Sequence, residues 1–188
     1  QRQMCIRDSL WSMGARNIQV EDFAQAIKDV LEGNKTAITH DEAREIVNKF
    51  FTELEEKVNS ENIEKGKAFL EENKKKENIV TLPSGLQYEV IKEGNGKKPK
   101  ATDRVRCHYE GTLIDGTLFD SSIKRGEPAV FGVNQVIQGW VEALQLMSEG
   151  SKWKLYIPSE LGYGAHGAGE MIPPHSTLIF EVELLEVL

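Results

Sequence analysis

Apolar positions recur along this chain with two different periods, and the change falls near residue 80. From Gln19 to Gly33, the residues Phe23, Ile27, Val30 and Leu31 stand at i, i+4, i+7 and i+8. That is one face of a helix, and Gly33 suits its C-terminal stop. A second helix opens at Thr39-His-Asp-Glu42, where Thr39 and Glu42 can satisfy each other's backbone donors. Ala43, Ile46, Val47, Phe50, Phe51, Leu54 and Val58 follow at helical spacing. Beyond Asn59-Ser60 the stripe thins to Ile63, Gly66, Phe69 and Leu70 on a ground of Glu and Lys, so the helix either breaks at Asn59 or runs on to Asn78. Unbroken, it would be about 60 Å long at about 1.5 Å per residue. A polar helix of that length has little to pack against within one chain. It reads as a spacer or as half of an intermolecular pair.

From Leu82 onward the period is that of strands. Pro83-Ser-Gly85 and Gly94-Asn-Gly96 bracket the alternating run from Leu86 to Lys92. Val105, Cys107 and Tyr109 share one face of a strand, with Arg104, Arg106, His108 and Glu110 on the other. Trp153, Leu155 and Ile157 alternate likewise, and Leu178, Phe180, Val182 and Leu184 oppose Ile179, Glu181, Glu183 and Leu185. One short helical stretch, Val141 to Met147, interrupts the strands. The pattern predicts an α+β domain over 82–188, a mostly antiparallel sheet wrapped on one short helix. Before it stand a helical region over 10–58 and a charged linker helix over 59–81. There is no internal repeat.

Composition agrees with that division. All six prolines and most glycines follow residue 80. Apolar residues make up 39% of the 188 positions and charged residues 28%, so the core must be concentrated in part of the chain. A formal charge of −7 argues against nucleic acid or an anionic membrane as the main partner. No apolar run approaches the roughly 20 residues of a membrane helix. Two cysteines, Cys5 and Cys107, cannot build a disulfide framework or a zinc cage. The first nine residues, QRQMCIRDS, show no periodicity and read as a non-native segment, which is left out of fold reasoning. The chain begins at Gln1 and not at a methionine; if the native start is missing, so is any targeting signal, and on that ground a periplasmic or envelope location is favoured over the cytoplasm.

Candidate chemistry is sparse. The histidines at 40, 108, 166 and 175 lie at no ligand spacing, so no metal site is expected. Gly162-Tyr-Gly-Ala-His-Gly-Ala-Gly169 lacks the Gly-Lys-[Ser/Thr] ending that grips phosphate and reads as a loop carrying one aromatic. Cys107, inward on its strand, suits a buried small hydrophobe better than a nucleophile. No cofactor is implied. What remains is an excess of aromatic and branched aliphatic residues beside turns. Taken singly, each is an ordinary core residue, but their order is distinctive. Gly116-Thr-Leu-Phe119-Asp120-Ser-Ser122 is followed by Val136-Ile137-Gln-Gly139-Trp140, then Leu161-Gly-Tyr163-Gly164, then Met171-Ile172-Pro-Pro174-His175-Ser-Thr-Leu-Ile-Phe180.

This series resembles the FKBP family of peptidyl-prolyl cis–trans isomerases over the whole of 82–188. The resemblance implies a curved antiparallel sheet around a short helix, with the pocket between them. It implies catalytic positions at Phe119, Asp120, Ile137 and Tyr163. Substrate-binding positions fall at Tyr109, Phe131, Val136, Trp140, Ile172 and Phe180, with Trp140 as the floor. Asp120, the Tyr163 hydroxyl and the Ile137 amide would meet substrate backbone groups; on residue type alone, Asp120 with Ser121 and Ser122 also reads as a capping turn. The chain departs from many eukaryotic members in a shorter segment Pro128–Gln135, in the place of His166, and in Met171 where isoleucine is common.

The helices ahead of that domain, with Leu82-Pro-Ser-Gly-Leu-Gln-Tyr88, resemble the bacterial subgroup related to the macrophage infectivity potentiator. That implies a homodimer through the N-terminal helices. It also implies proline-containing unfolded or nascent proteins as substrates and macrolides such as rapamycin as ligands. The alternative is a client-binding chaperone or interaction module with a weak isomerase pocket; the completeness of the pocket set favours the enzyme. The sheet domain shows no excess apolar surface, so a fragment starting near residue 80 is expected to work alone on a short peptide.

Overall fold

The computed structural model describes residues 19–188; residues 1–18, including the segment 1–9 set aside above, lie outside them. The chain divides after Val58 into two compact units. In the first, α1 (Val20–Glu32) ends where Gly33 takes a left-handed φ of 69°, which lets the Asn34 N–H reach back to the Asp29 carbonyl at 2.8 Å. Helix α2 (His40–Asn73) starts at the expected capping box. The Thr39 N–H donates to Glu42 Oε2 at 2.8 Å, and the Glu42 N–H donates to Thr39 Oγ1 at 3.3 Å. No residue of α1 is buried. Phe23, Ile27, Ile46, Val47 and Phe50 all stand exposed on this single chain.

Helix α2 does not break at Asn59, and it stops at Asn73 rather than Asn78. Its C-terminal part lies in the second unit, where this polar stretch packs within its own chain rather than serving only as a spacer or as half of an intermolecular pair. Phe69 meets the Tyr156 ring with centroids 5.9 Å apart. Asn73, 1% exposed, donates its side-chain amide to Gln87 Oε1 at 2.9 Å, and Gln87 Nε2 donates to the Leu70 carbonyl at 2.9 Å. These two bonds satisfy buried amide groups and tie the helix end to a strand.

That strand belongs to a seven-stranded sheet. Its members are β1 (Val80–Thr81), β2 (Gln87–Lys92), β3 (Arg104–Leu113), β4 (Leu118–Ser121), β5 (Ala129–Gly132), β6 (Lys152–Ile157) and β7 (Leu178–Val187). The order is β1-β2-β6-β7-β3-β4, and every pairing is antiparallel. β3 has β7 along one edge. Its C-terminal half pairs with β4 and its N-terminal half with β5. Between these two strands the chain makes the one-turn helix α3 (Ser122–Arg125), capped by the Ser121 hydroxyl and released at Gly126, φ 79°. This detour positions the site.

Inward residues alternate as predicted: Val105, Cys107 and Tyr109 on β3, and Leu178, Phe180, Val182 and Leu184 on β7. They close on Trp140, Ala143, Leu144 and Met147 of helix α4 (Gln138–Leu146) and its C-cap. Helix α4 starts three residues before the predicted Val141. Gly139 sits in its first turn because a Cβ there would lie 2.6 Å from Ile157 Cγ2, so close packing overrides the poor helix propensity of glycine. The α+β class, a sheet wrapped on one short helix after N-terminal helices, is the observed one.

Candidate active site

One cavity of about 750 Å³ opens between the sheet and α4. All ten residues singled out from the sequence line it: Tyr109, Phe119, Asp120, Phe131, Val136, Ile137, Trp140, Tyr163, Ile172 and Phe180. β3 brings Tyr109, β4 brings Phe119 and Asp120, and β5 brings Phe131. Val136 and Ile137 form the turn into α4, and Trp140 lies in that helix's first turn. Tyr163 and Ile172 come from the glycine-rich connection between β6 and β7.

Trp140 is the hub. Its ring meets Tyr109, Phe131 and Phe180 edge-on, with centroids 5.4, 5.7 and 5.3 Å away. Phe119 stands edge-on to Phe180 at 5.4 Å. Edge-to-face packing of this kind adds to the burial of each ring and fixes its orientation. The wall therefore has little freedom to collapse into the cavity. Gly111 permits the arrangement: a Cβ there would lie 2.6 Å from Phe119 Cε2 and 2.7 Å from Phe180 Cε1.

The polar side of the cavity is small and tightly bonded. The Tyr109 hydroxyl donates to Asp120 Oδ2 at 2.5 Å, and Arg125 Nη1 donates to Asp120 Oδ1. Arg125 Nη2 also donates to the Tyr109 oxygen at 2.8 Å. Burial pushes the Asp120 carboxyl up, but the bonds from Tyr109 and Arg125 and the Arg125 charge outweigh it and hold the group below its usual range. Burial first, and then the Asp120 charge, raise the Tyr163 phenol above its usual value, so it stays a neutral donor at physiological pH. Ser121 caps α3, while the Ser122 hydroxyl accepts from the Tyr109 N–H at 2.8 Å. Ser121 thus does the capping, and the Asp120 carboxylate lines the cavity.

Arg125 was not singled out from the sequence, although Ser121 and Gly126 mark the short capped helix that delivers it. Gln135 and residues 168–171, none of them marked by the sequence as a binding position, also line the cavity. Cys107 is buried, and that burial pushes its thiol up to about 12. Among the described residues, no three His, Cys, Asp or Glu side chains converge as metal ligands. No helix among them is long and apolar enough to cross a membrane.

Known proteins share this sequence pattern and fold. The sequence model described as FKBP-type peptidyl-prolyl cis-trans isomerase matches residues 95–185, and the domain amino-terminal to such isomerases matches 5–90. The FKBP-type 22 kDa peptidyl-prolyl cis-trans isomerase of Escherichia coli is 48% identical, over 97% of this chain and 90% of its own. The chain belongs to the FKBP-type peptidyl-prolyl cis-trans isomerases. The outer membrane protein MIP of Legionella longbeachae is 44% identical over 91% of this isomerase and 76% of its own length. The crystal structure of FkpA from Escherichia coli superposes with a TM-score of 0.82 at 36% identity, covering 96% of the isomerase and 87% of FkpA. The enzyme accelerates cis–trans isomerisation of X-Pro bonds.

Proposed function

We propose that the isomerase works by binding the twisted X-Pro amide more tightly than either planar form. An X-Pro bond turns slowly because resonance resists twisting, with a barrier of about 18–20 kcal/mol. Twisting removes the double-bond character and reduces charge separation on the carbonyl. A dry aromatic wall therefore favours the twisted state over the planar one, which water solvates better. An acceleration of about 10⁵ needs only about 7 kcal/mol of such preference. No covalent bond breaks in this scheme, so it asks for no nucleophile.

The convergence of Phe119, Phe131, Trp140, Ile172 and Phe180 on one cavity carries this reading. Trp140 is the floor for the proline ring. Ionised Asp120 accepts from a substrate N–H, and the Tyr163 hydroxyl and the Ile137 N–H donate to substrate carbonyls. The same apolar enclosure suits macrolides such as rapamycin. The test is a series of Ala-X-Pro-Phe peptides followed by exchange NMR. An apolar X such as Leu should give a higher kcat/KM than Glu; equal rates would remove the role of the apolar wall in recognition.

The N-terminal helices add a homodimer to the proposal. Phe23 and Ile27 on α1 and Ile46, Val47 and Phe50 on α2 all stand exposed on the single chain, and apolar helix faces of this kind mark an interface. A paired chain would offer an extended client two sites at once, and so bind it more tightly than either site alone. Refolding of a proline-limited protein, compared with turnover of a short peptide, reads that gain. Holding clients through these helices alone is the second reading; it predicts suppression of aggregation that persists when the cavity is disabled.

A further inference from the structure

Inside the loop that carries Ile172 into the cavity, one side-chain bond holds the turn locally: the Ser176 hydroxyl donates to the Pro173 carbonyl at 2.7 Å. Pro173 and Pro174 supply no backbone N–H, so no ladder bond can start from them. His175 follows with φ 58°, the one left-handed non-glycine residue among those described, and such a conformation persists only where its surroundings enforce it. On the cavity side, the loop is closed by bonds in both directions between Ala168 and Ile172, at 2.9 and 3.1 Å, and by the His175 N–H to the Gly164 carbonyl at 2.8 Å. Its far side is fastened from elsewhere. Asn62 of α2, 112 positions earlier in the chain, donates its side-chain amide to the Pro174 carbonyl at 2.9 Å. One helical turn later, Gly66 is buried against Thr177, whose Oγ1 would lie 2.4 Å from a Cβ at that position. The helix itself is anchored to the sheet at Phe69, Leu70 and Asn73 by the contacts described above.

We infer that Asn62 is a positioning residue of the isomerase site: residues 59–73 of α2 form a strut that holds the Pro173–Thr177 turn, and with it the Ile172 wall of the cavity. This rests on the cavity being the isomerase site. Without the bond, the turn samples other positions, and only a fraction of molecules presents the complete wall. A substrate then binds with an affinity reduced by that fraction, while turnover of the bound complex is unaffected. The signature is a raised KM at constant kcat. A fragment starting near residue 80 lacks the strut and should show the same defect, contrary to the independence that the sequence suggests.

The test uses the full chain with Asn62→Ala, Asn62→Asp, which keeps the shape but loses the donor, and Asn62→Gln, which restores a donor. Gly66→Ala, which presses on Thr177, disturbs the same turn independently. Kinetics on a Leu-Pro peptide are read beside amide hydrogen exchange at His175. Asn62→Ala and Asn62→Asp should raise KM, by at most the roughly fivefold that one ordinary hydrogen bond is worth, with kcat unchanged and His175 exchange faster; Asn62→Gln should recover part of both. Unchanged KM with unchanged exchange would overturn the inference. So would a fall in kcat at constant KM alongside a lower melting temperature, which is loss of folded protein only. An inactive wild type would instead refute the isomerase site, while the exchange measurement would still decide whether the strut holds the turn.

Discussion

The Tyr109 hydroxyl donates to Asp120 Oδ2 at 2.5 Å, and both groups are held again by Arg125. About half the Arg125–Asp120 pair faces solvent, so it adds little to stability. Its effect is to fix the direction of the carboxylate and keep it charged. The bonds overcome burial and lower the Asp120 pKa, so its contribution is fully present above the unfolded value near 3.9 and is lost as pH falls through the lower folded one. The acid limb of log kcat/KM should therefore lie below about pH 4. Arg125→Ala should move that limb to higher pH. An identical limb in the variant would show that Arg125 does not set the ionisation of Asp120.

Gly111 marks the point where the sheet yields to the cavity. Gly111→Ala puts a methyl group against both Phe119 and Phe180. Overpacking of this kind costs about 1–3 kcal/mol. Chemical denaturation should show that loss. Activity should fall further than stability explains, because both rings line the cavity. A variant as stable and active as wild type would mean that the rings have room the structure does not show.

Cys107 gives a simple check on the core. Burial raises its thiol to about 12, so little thiolate exists at pH 8. With Cys5 replaced by serine, the folded protein should leave a thiol reagent unreacted, and denaturant should release one equivalent. Rapid labelling without denaturant would show that β3 opens locally.

The exposed face of α1 and the first turns of α2 should join two chains. Sedimentation of the wild type should give a dimer, and Phe23→Glu with Ile27→Glu should shift it to monomer with unchanged activity per chain on a short peptide. A wild type that is monomeric at every concentration would remove the dimer and leave the face to clients.

Most of the sheet was legible because alternation at β3, β6 and β7 tracks burial residue by residue, with Tyr156 the instructive exception. It points away from the main core yet is buried, because Phe69 of α2 covers it. The ten cavity residues were legible only as an ordered series, since each alone is an ordinary core residue. Arg125 escaped notice because its role depends on a five-residue return to Asp120 through α3. The strut escaped for a different reason. Asn62, Gly66, Phe69, Leu70 and Asn73 stand at i, i+4, i+7, i+8 and i+11, a regular helical face, but three of the five are amide or glycine and carry no hydrophobic signal. A face that docks through buried amides looks like a solvated one.

The most direct test of the account is exchange NMR of a Leu-Pro peptide with wild type, Phe119→Ala and Asp120→Ala, each shown to be folded by circular dichroism. The wild type should exchange the cis and trans signals well above the uncatalysed rate. Each variant should lose at least about tenfold in kcat/KM, or about 1.4 kcal/mol of transition-state stabilisation. Variants as fast as wild type, or a folded wild type no faster than background, would contradict a cavity that works by holding the twisted amide.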